Sequence, residues 1–580
     1  MTANPLVKAF TWARTVVPLE KRNVFVVYAI ILLGTVLDNL SSASALTLSA
    51  NIQKEFNTDS STTSWVLSGY ALTLGSFIMV SGKISDVIGP HNLYLIGITI
   101  FWISALICAC IPHTSIVALI VFRAIQGIGA STLIPSTIAL TANYFTGPLQ
   151  KHLNTAVIYM IVALTATLGL GVVLGGAFSE TNVGYKGFFY FVFAYSFVVD
   201  VLLVFLIIPI NKTDGHNKLK MKNIDFVAAF LVIVGCLLMI LGLTEGGEKW
   251  RSPKAIAPLI VGFFTAASAL VYEVLYIRRY QVLHQNEDKS SSWKLQVDLL
   301  FPPEILKIPN FYPFLIICGL YYATFVMIIA IGVYTYSLIY HDSNIITAVK
   351  VFPMSIGLVF GAIVYRDSYY KKVGYKRMFI ISGVLSLASI IWFSRTKFGT
   401  TNAYWKYDMG ALFLYGYGIN IFFNIYMPLV IQCTPLHLQG NVNGIFQTCS
   451  QVLLSIGNAL IPSIAGNLTI AYTFEEKLII QNKLRTIFYV MMGFHAFIVI
   501  LMVVAIKDPK TISSSADDEN AINVENDNVE NNAIDPNVDI EKLEKTDNSE
   551  SSIESCEMNK AASVECQTEN LSTESKNTNW

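Results

Sequence analysis

Apolar runs of roughly 20 residues, each long enough to cross a hydrocarbon layer about 30 Å thick as a helix, recur along this chain and constrain its fold most. They fall at 24–46, 65–82, 93–111, 116–138, 155–178, 188–210, 225–244, 255–277, 312–339, 348–365, 377–394, 407–431, 442–465 and 485–506, about fourteen spans. Composition agrees: 54% of residues are apolar and 13% charged, with a mean hydropathy of +0.54, more apolar surface than a soluble core needs. The runs lack the ten-residue alternation of an outer-membrane barrel, and lipid-exposed backbone must satisfy its own hydrogen bonds, so strands are excluded. The fold class is an all-α polytopic membrane protein. Residues 1–23 carry four basic residues before the first run, so the expectation is no separate signal peptide, with the first span acting as the targeting signal.

Charge sets the orientation. Residues 511–580 hold 17 acidic residues against 4 lysines, a net of −13, and the other 510 residues carry 35 basic and 22 acidic. With the N-terminus cytosolic, 22 of those 35 basic residues fall on the inner side and 12 on the outer, the bias of the positive-inside rule. NKTDGHNKLKMKN (211–223) and RDSYYKKVGYKR (366–377) supply much of it. The acidic tail, rich in Asn, Ser, Glu and Asp, cannot bury enough apolar surface to offset ordering entropy and reads as disordered. Five parts follow: a cytosolic segment at 1–23, a six-span bundle at 24–210, a loop with two extra central spans at 211–277, a second six-span bundle at 278–506, and the tail at 507–580.

Ionisable residues inside spans are costly, about 2.5–3.5 kcal/mol for an arginine at a helix centre, so each one needs a function or a buried partner. Arg123, in VFRAIQGIGAST, shares a helical face with Gln126 and Gly127 at i+3 and i+4. Asp38, in TVLDNLSSASALTL, is an acid deep in span 1, and an acid that exchanges its proton inside a cavity is what proton coupling requires. Asp200 in span 6 is a second candidate for the substrate path, or a partner for Arg123 or another span. His495 reads as a packed residue, and Glu273 and Asp225 as solvated near the inner face. In SGKISDVIGPHNLYLIG, a tight inner loop between Gly82 and Gly89 puts Asp86 beside a helix end, where a dipole or a base such as Lys83 can hold it. In ALTATLGLGVVLGGAFSE, small residues at Ala163, Thr167, Gly171 and Gly175 recur every four positions and form a strip on which another backbone packs or slides. In GNVNGIFQTCSQVLLSIGNAL (440–460), Gln447, Ser450 and Gln451 share one side, either lining a substrate path or bonding helix to helix.

These motifs, in this order, resemble the Major Facilitator Superfamily, and within it the fourteen-span drug:proton antiporter branch. SWVLSGYALTLGSF and the inner loop are similar to its fungal aminotriazole and boron resistance members. The inner loop keeps Gly82, Asp86 and Gly89 but has Val87, Pro90 and His91 where the family carries bases. The Arg123, Gln126, Gly127 motif matches completely, and in the family its arginine is implicated in proton transfer or in holding the gate. Span 5 keeps Gly171, Gly175 and Gly176 of the antiporter signature, with Thr167 and Val172 in place of a glycine and a proline. GAIVYRDSYYKKVGYKR (361–377) resembles a degenerate second copy of the inner loop, as an internal repeat requires. The resemblance implies two pseudo-symmetric six-span bundles plus two extra spans, working by alternating access.

The functional expectation is proton-coupled export of small toxic or metabolic compounds. The alternatives are a nutrient uniporter or importer, which the span 5 departures leave open, and a membrane sensor that signals through the tail. No nucleotide-binding loop, metal cluster or nucleophile triad occurs in the cytosolic segments, so neither enzymatic activity nor a cofactor or metal is expected. The expected partners are a small-molecule substrate, protons, the lipid bilayer and, for the tail, trafficking proteins, with no nucleic acid. The plasma membrane is the expected location, with the vacuolar and endoplasmic reticulum membranes as alternatives. Eight scattered cysteines indicate no disulfide framework, and the sequon at Asn467 sits close to span 13 on the predicted outer side.

Overall fold

The computed structural model describes residues 16–507, apart from 59, 113–114, 211–222, 285–291, 366–371, 397–401, 436–437 and 467–471. The Asn467 sequon, the acidic tail and most of the basic runs at 211–223 and 366–377 lie outside the described residues. Among the described residues fourteen helices are long and apolar enough to cross a membrane. They are α1 (Val24–Phe56), α2 (Ser60–Ile88), α3 (Pro90–Cys110), α4 (Ile116–Tyr144), α5 (Leu153–Ser179), α6 (Gly184–Leu206) and α7 (Phe226–Lys249). The remaining seven are α8 (Pro253–Val271, continued to Leu283), α9 (Phe311–Tyr334, continued to Ile339), α10 (Asn344–Val351 and Pro353–Val364), α11 (Tyr375–Phe393), α12 (Met409–Cys433), α13 (Gln439–Ala465) and α14 (Phe474–Val504).

Local chemistry sets the ends of these helices. Asn23 caps α1 by accepting the Phe25 N–H at 2.9 Å, and Asp225 caps α7 by accepting that of Ala228 at 2.9 Å. Two turns repeat: Gly89 at φ 92° precedes α3 and Gly374 at φ 94° precedes α11, a left-handed conformation that favours glycine. These are the corresponding turns of the two halves, as the degenerate second copy requires. Among the described residues three one-turn π-helices interrupt the α-helical ladder, at Tyr272–Ile277 in α8, Thr335–Ile339 at the end of α9 and Tyr404–Asp408 before α12.

The packing repeats as the turns do. In the first six helices α1 packs on α5 and α6, α2 on α4, and α3 on α4 and α6; in the last six, α9 packs on α13 and α14, α10 on α12, and α11 on α12 and α14. One buried apolar cluster draws only on residues 27–207, and a second is built chiefly from residues 311–506. Two seams join the six-helix sets. We call the end where α1 begins the inner end. There α2 crosses α13, and towards the outer end α5 crosses α10. The extra helices α7 and α8 pack on each other, and α7 lies against both α2 and α13, backing the inner seam. The outward face of α8 is apolar and exposed, including Phe263, Phe264 and Leu275.

Two expectations need correction. The inner motif is not a loop: α2 continues to Ile88, so Lys83 and Asp86 lie in its last turns, because their polar ends face protein rather than water. Glu273 and Asp225 are not solvated, being 0% and 2% exposed. Burial pushes the Asp225 carboxyl above its ordinary range.

Candidate functional site

Arg123 is 1% exposed and points into the first half. Its Nη1 donates to Ser41 Oγ and to Gln126 Oε1, both at 2.8 Å, and its Nε donates to the Val66 carbonyl at 3.2 Å. The guanidinium carbon stands 4.3 Å from the centroid of the Tyr70 ring, a cation–π geometry. The hydroxyl of that tyrosine donates to Asp38 Oδ1 at 2.5 Å. Asp38 and Arg123 are therefore joined through Tyr70 and not by a direct ion pair, and the cluster ties α1, α2 and α4 together. Because the guanidinium meets neutral acceptors and a ring face in a buried place, its charge is compensated without lipid contact. The sequence reading missed Tyr70 although it lies within SWVLSGYALTLGSF, because an aromatic residue in a span reads as packing.

The second half comes close at one point. Tyr322 of α9 lies within electrostatic range of Asp38 and next to Gln447 of α13, whose buried Oε1 has no hydrogen-bond partner among the described residues. Gln447 is thus brought to the centre, while Gln451 packs where α2 passes α13, its Cβ 3.0 Å from where a Cβ on Gly75 would stand. Asp200 is not brought to Arg123: its Oδ2 accepts from Thr99 Oγ1 at 2.9 Å and Trp102 Nε1 at 2.8 Å, fastening α6 to α3. His495 packs edge-on against Tyr321 and lies near the Tyr415 ring. A buried acid that the sequence reading did not single out, Asp408, accepts from Tyr336 at 2.8 Å and from Thr396, in the second half.

At the inner seam Asp86 accepts the N–H groups of Gly440 at 3.1 Å and Asn441 at 3.0 Å, the first residues of α13 beside its N-terminal Gln439. A carboxylate on the free amides of a helix start is favoured by hydrogen bonding and by the helix dipole. The close approach requires glycine, since a Cβ on Gly82 would stand 2.2 Å from the Gly440 carbonyl oxygen. Lys83 pairs with Asp298 at 2.6 Å.

The α5 strip has two working faces. A Cβ on Gly171 would stand 2.6 Å from the Leu40 carbonyl oxygen and one on Gly175 2.6 Å from that of Ser44, so this face packs on α1. Gly169 faces Ser355 and Gly176 faces Asn344, so the other face forms the outer seam with α10. Thr167, on the α1-facing strip, returns its hydroxyl to the Ala163 carbonyl at 2.8 Å. Among the described residues no group of His, Cys, Asp and Glu is placed to hold a metal ion.

A membrane bundle of fourteen helices with repeated halves, a buried arginine–tyrosine–aspartate cluster and crossed seams at both ends is the architecture of a solute transporter. The model of the Major Facilitator Superfamily matches residues 30–458, and the chain belongs to that family. It is similar to the uncharacterized MFS-type transporter EfpA of Mycobacterium tuberculosis, with 28% identity over 42% of this chain and 44% of that protein. The aminotriazole resistance protein of Saccharomyces cerevisiae shares 22% over 43% and 45%. These two matches span less than half the length of each relative. Multidrug resistance protein 3 of Bacillus subtilis is 24% identical over 80% of this chain and 81% of that protein. The crystal structure of the human organic anion transporter MFSD10 superposes with a TM-score of 0.55 at 13% identity, covering 82% of this chain and 98% of the other, a likeness of fold.

Proposed function

We propose that the protein is a proton-coupled exporter of small toxic or metabolic compounds, working by alternating access between halves at 24–210 and 278–506, with 211–277 as an added central element. The observation that carries this reading is the Asp38–Tyr70–Arg123 cluster. Ionised Asp38 accepts from Tyr70, whose ring also carries the guanidinium, so α1, α2 and α4 are held together while the acid is charged. Protonation removes the anionic acceptor and with it a charge-assisted bond, which biases the equilibrium between the two access states. Tyr322 of the second half lies within electrostatic range of the same acid, with Gln447 beside it. Energy then comes from the proton gradient. The resistance named for the yeast and Bacillus relatives is consistent with export.

A uniporter or importer remains the second reading, favoured by the bonding of Arg123 entirely to neutral groups of its own half. Proteoliposomes with an imposed pH gradient separate the two, once a substrate is found by comparing cellular retention of weak bases, azoles, borate and amino acids with and without the protein. Asp38→Asn should abolish gradient-driven flux and leave exchange, and Tyr70→Phe should weaken coupling in the same direction. Wild-type pH dependence in Asp38→Asn removes the proton assignment. For the tail we propose a role in trafficking or turnover: truncation after Lys510 should preserve the transport rate per surface molecule, and a collapse of that rate would make the tail a gate.

A further inference from the structure

Residues 297–301, Val-Asp-Leu-Leu-Phe, follow α8 and pass across the inner end of the seam between α2 and α13. Four elements hold them. Glu273, fully buried in the π-helical turn of α8, accepts the N–H groups of Leu300 at 2.7 Å and Phe301 at 2.8 Å, one on each oxygen. The Asn441 side chain of α13 donates to the Leu300 carbonyl at 2.8 Å. Lys83 of α2, 1% exposed, pairs with Asp298. The Asp298 N–H donates to the Asn223 carbonyl at 2.6 Å, which joins this segment to the chain entering α7.

The arrangement exceeds what a connection between α8 and α9 needs. Glu273 alone would anchor such a linker. The two further ties go to the two helices that must part if the inner end opens, and Asn441 also gives its backbone N–H to Asp86 of α2 at 3.0 Å. Moving α2 away from α13 must therefore break the Lys83–Asp298 pair or the Asn441–Leu300 bond as well as the Asp86 contacts. A buried lysine that loses the carboxylate it pairs with is costly, which ties gate opening to the strap. The extra helices supply the fixed point, since α7 backs both α2 and α13 and Glu273 sits on α8.

We propose that residues 297–301 are a strap that locks the inner end shut, with Lys83 and Glu273 as positioning residues acting on the gate through Asp298, Leu300 and Phe301. This rests on the alternating-access reading. It assigns the added helix pair a role as the anchor of the inner gate.

The test is amide hydrogen exchange on the full chain in lipid nanodiscs, comparing wild type with Lys83→Gln, Asp298→Asn and the swapped pair Lys83→Asp/Asp298→Lys. Asp298 is partly exposed, and the thermal unfolding midpoint of each variant in the same nanodiscs separates a loosened seam from a failed fold. The expected result is about tenfold faster exchange at residues 440–446 in both single variants, with protection restored in the swap. Exchange that rises only within 297–301, with 440–446 unchanged, overturns the strap. The outer-seam residues 344–351 separate the two readings: alternating access requires them to gain protection when the inner seam loosens. A loosened inner seam with unchanged 344–351 keeps the strap and rejects alternating access.

Discussion

The two seams that join the halves are built to the same plan and closed by different physics. At the outer seam α5 meets α10 through small residues, with Gly169 facing Ser355, Gly176 facing Asn344 and one neutral bond from Asn344 to Ser179 at 3.3 Å. At the inner seam α2 meets α13 with glycine on backbone at Gly82 and Gly440, and charge is added: half-buried Asp86 on two amides and buried Lys83 on partly exposed Asp298. Small-residue packing alone closes weakly and reversibly, whereas charge that is partly buried closes strongly only while every partner stays in place. The comparison teaches that the inner seam holds its helices by charge and hydrogen bonds, the outer seam by close contact of small residues.

That contrast can be broken in several ways. The largest effect belongs to neither seam: Gly175→Leu should abolish transport, because the side chain would enter the backbone of α1 within the first half. Cell-surface labelling beside flux separates blocked transport from failed delivery, and normal flux would leave the strip as ordinary packing. Gly82→Ala should come next, since its Cβ would stand 2.2 Å from a backbone oxygen and overpacking of this kind costs about 1–3 kcal/mol. Transport at wild-type rate in that variant would mean that the inner seam does not close during the cycle.

Asp86→Asn should cost about 2 kcal/mol at the seam, roughly thirtyfold in closure, because one of its two amide partners loses its acceptor. Exchange at Gly440 and Asn441 measures it, and unchanged protection would reduce Asp86 to a passive cap. The smallest effect should be Gly176→Ala, whose Cβ would lie 3.2 Å from the Asn344 oxygen and needs only a shift of a few tenths of an ångström. A loss of flux as severe as in Gly82→Ala would erase the distinction between the seams.

The sequence carried the helix count and the repeat because twenty-residue apolar runs and glycine turns are local signals. Arg123 stood out because a charge in a span is conspicuous, and Asp86 because Gly82 and Gly89 bracket it in a tight inner turn. The inner end of α2 was cut short at residue 82 because hydropathy falls at Lys83 and Asp86, whether such groups face water or a buried partner. Glu273 was placed in solvent for the same reason, its partners lying 27 and 28 residues on in the chain. Tyr70 was hidden by the opposite ambiguity: its ring counts as apolar, and only the fold reveals that its hydroxyl meets Asp38. Asp200 was left open between a path and a pairing of spans, since an acid in a span looks alike in both; in the fold it fastens α6 to α3.

The strap also bears on the order of assembly. Chains leave the ribosome N-terminus first. Lys83 and Glu273 precede Asp298 and Leu300, and Asn441 emerges about 140 residues later. The pairing of α2 with the strap can thus be complete before α13 exists, leaving a nascent intermediate with a formed seat for the α13 N-terminus. Late insertion of α13 then becomes a docking onto a finished surface, and lesions at Lys83 should be felt first as slow maturation and early degradation.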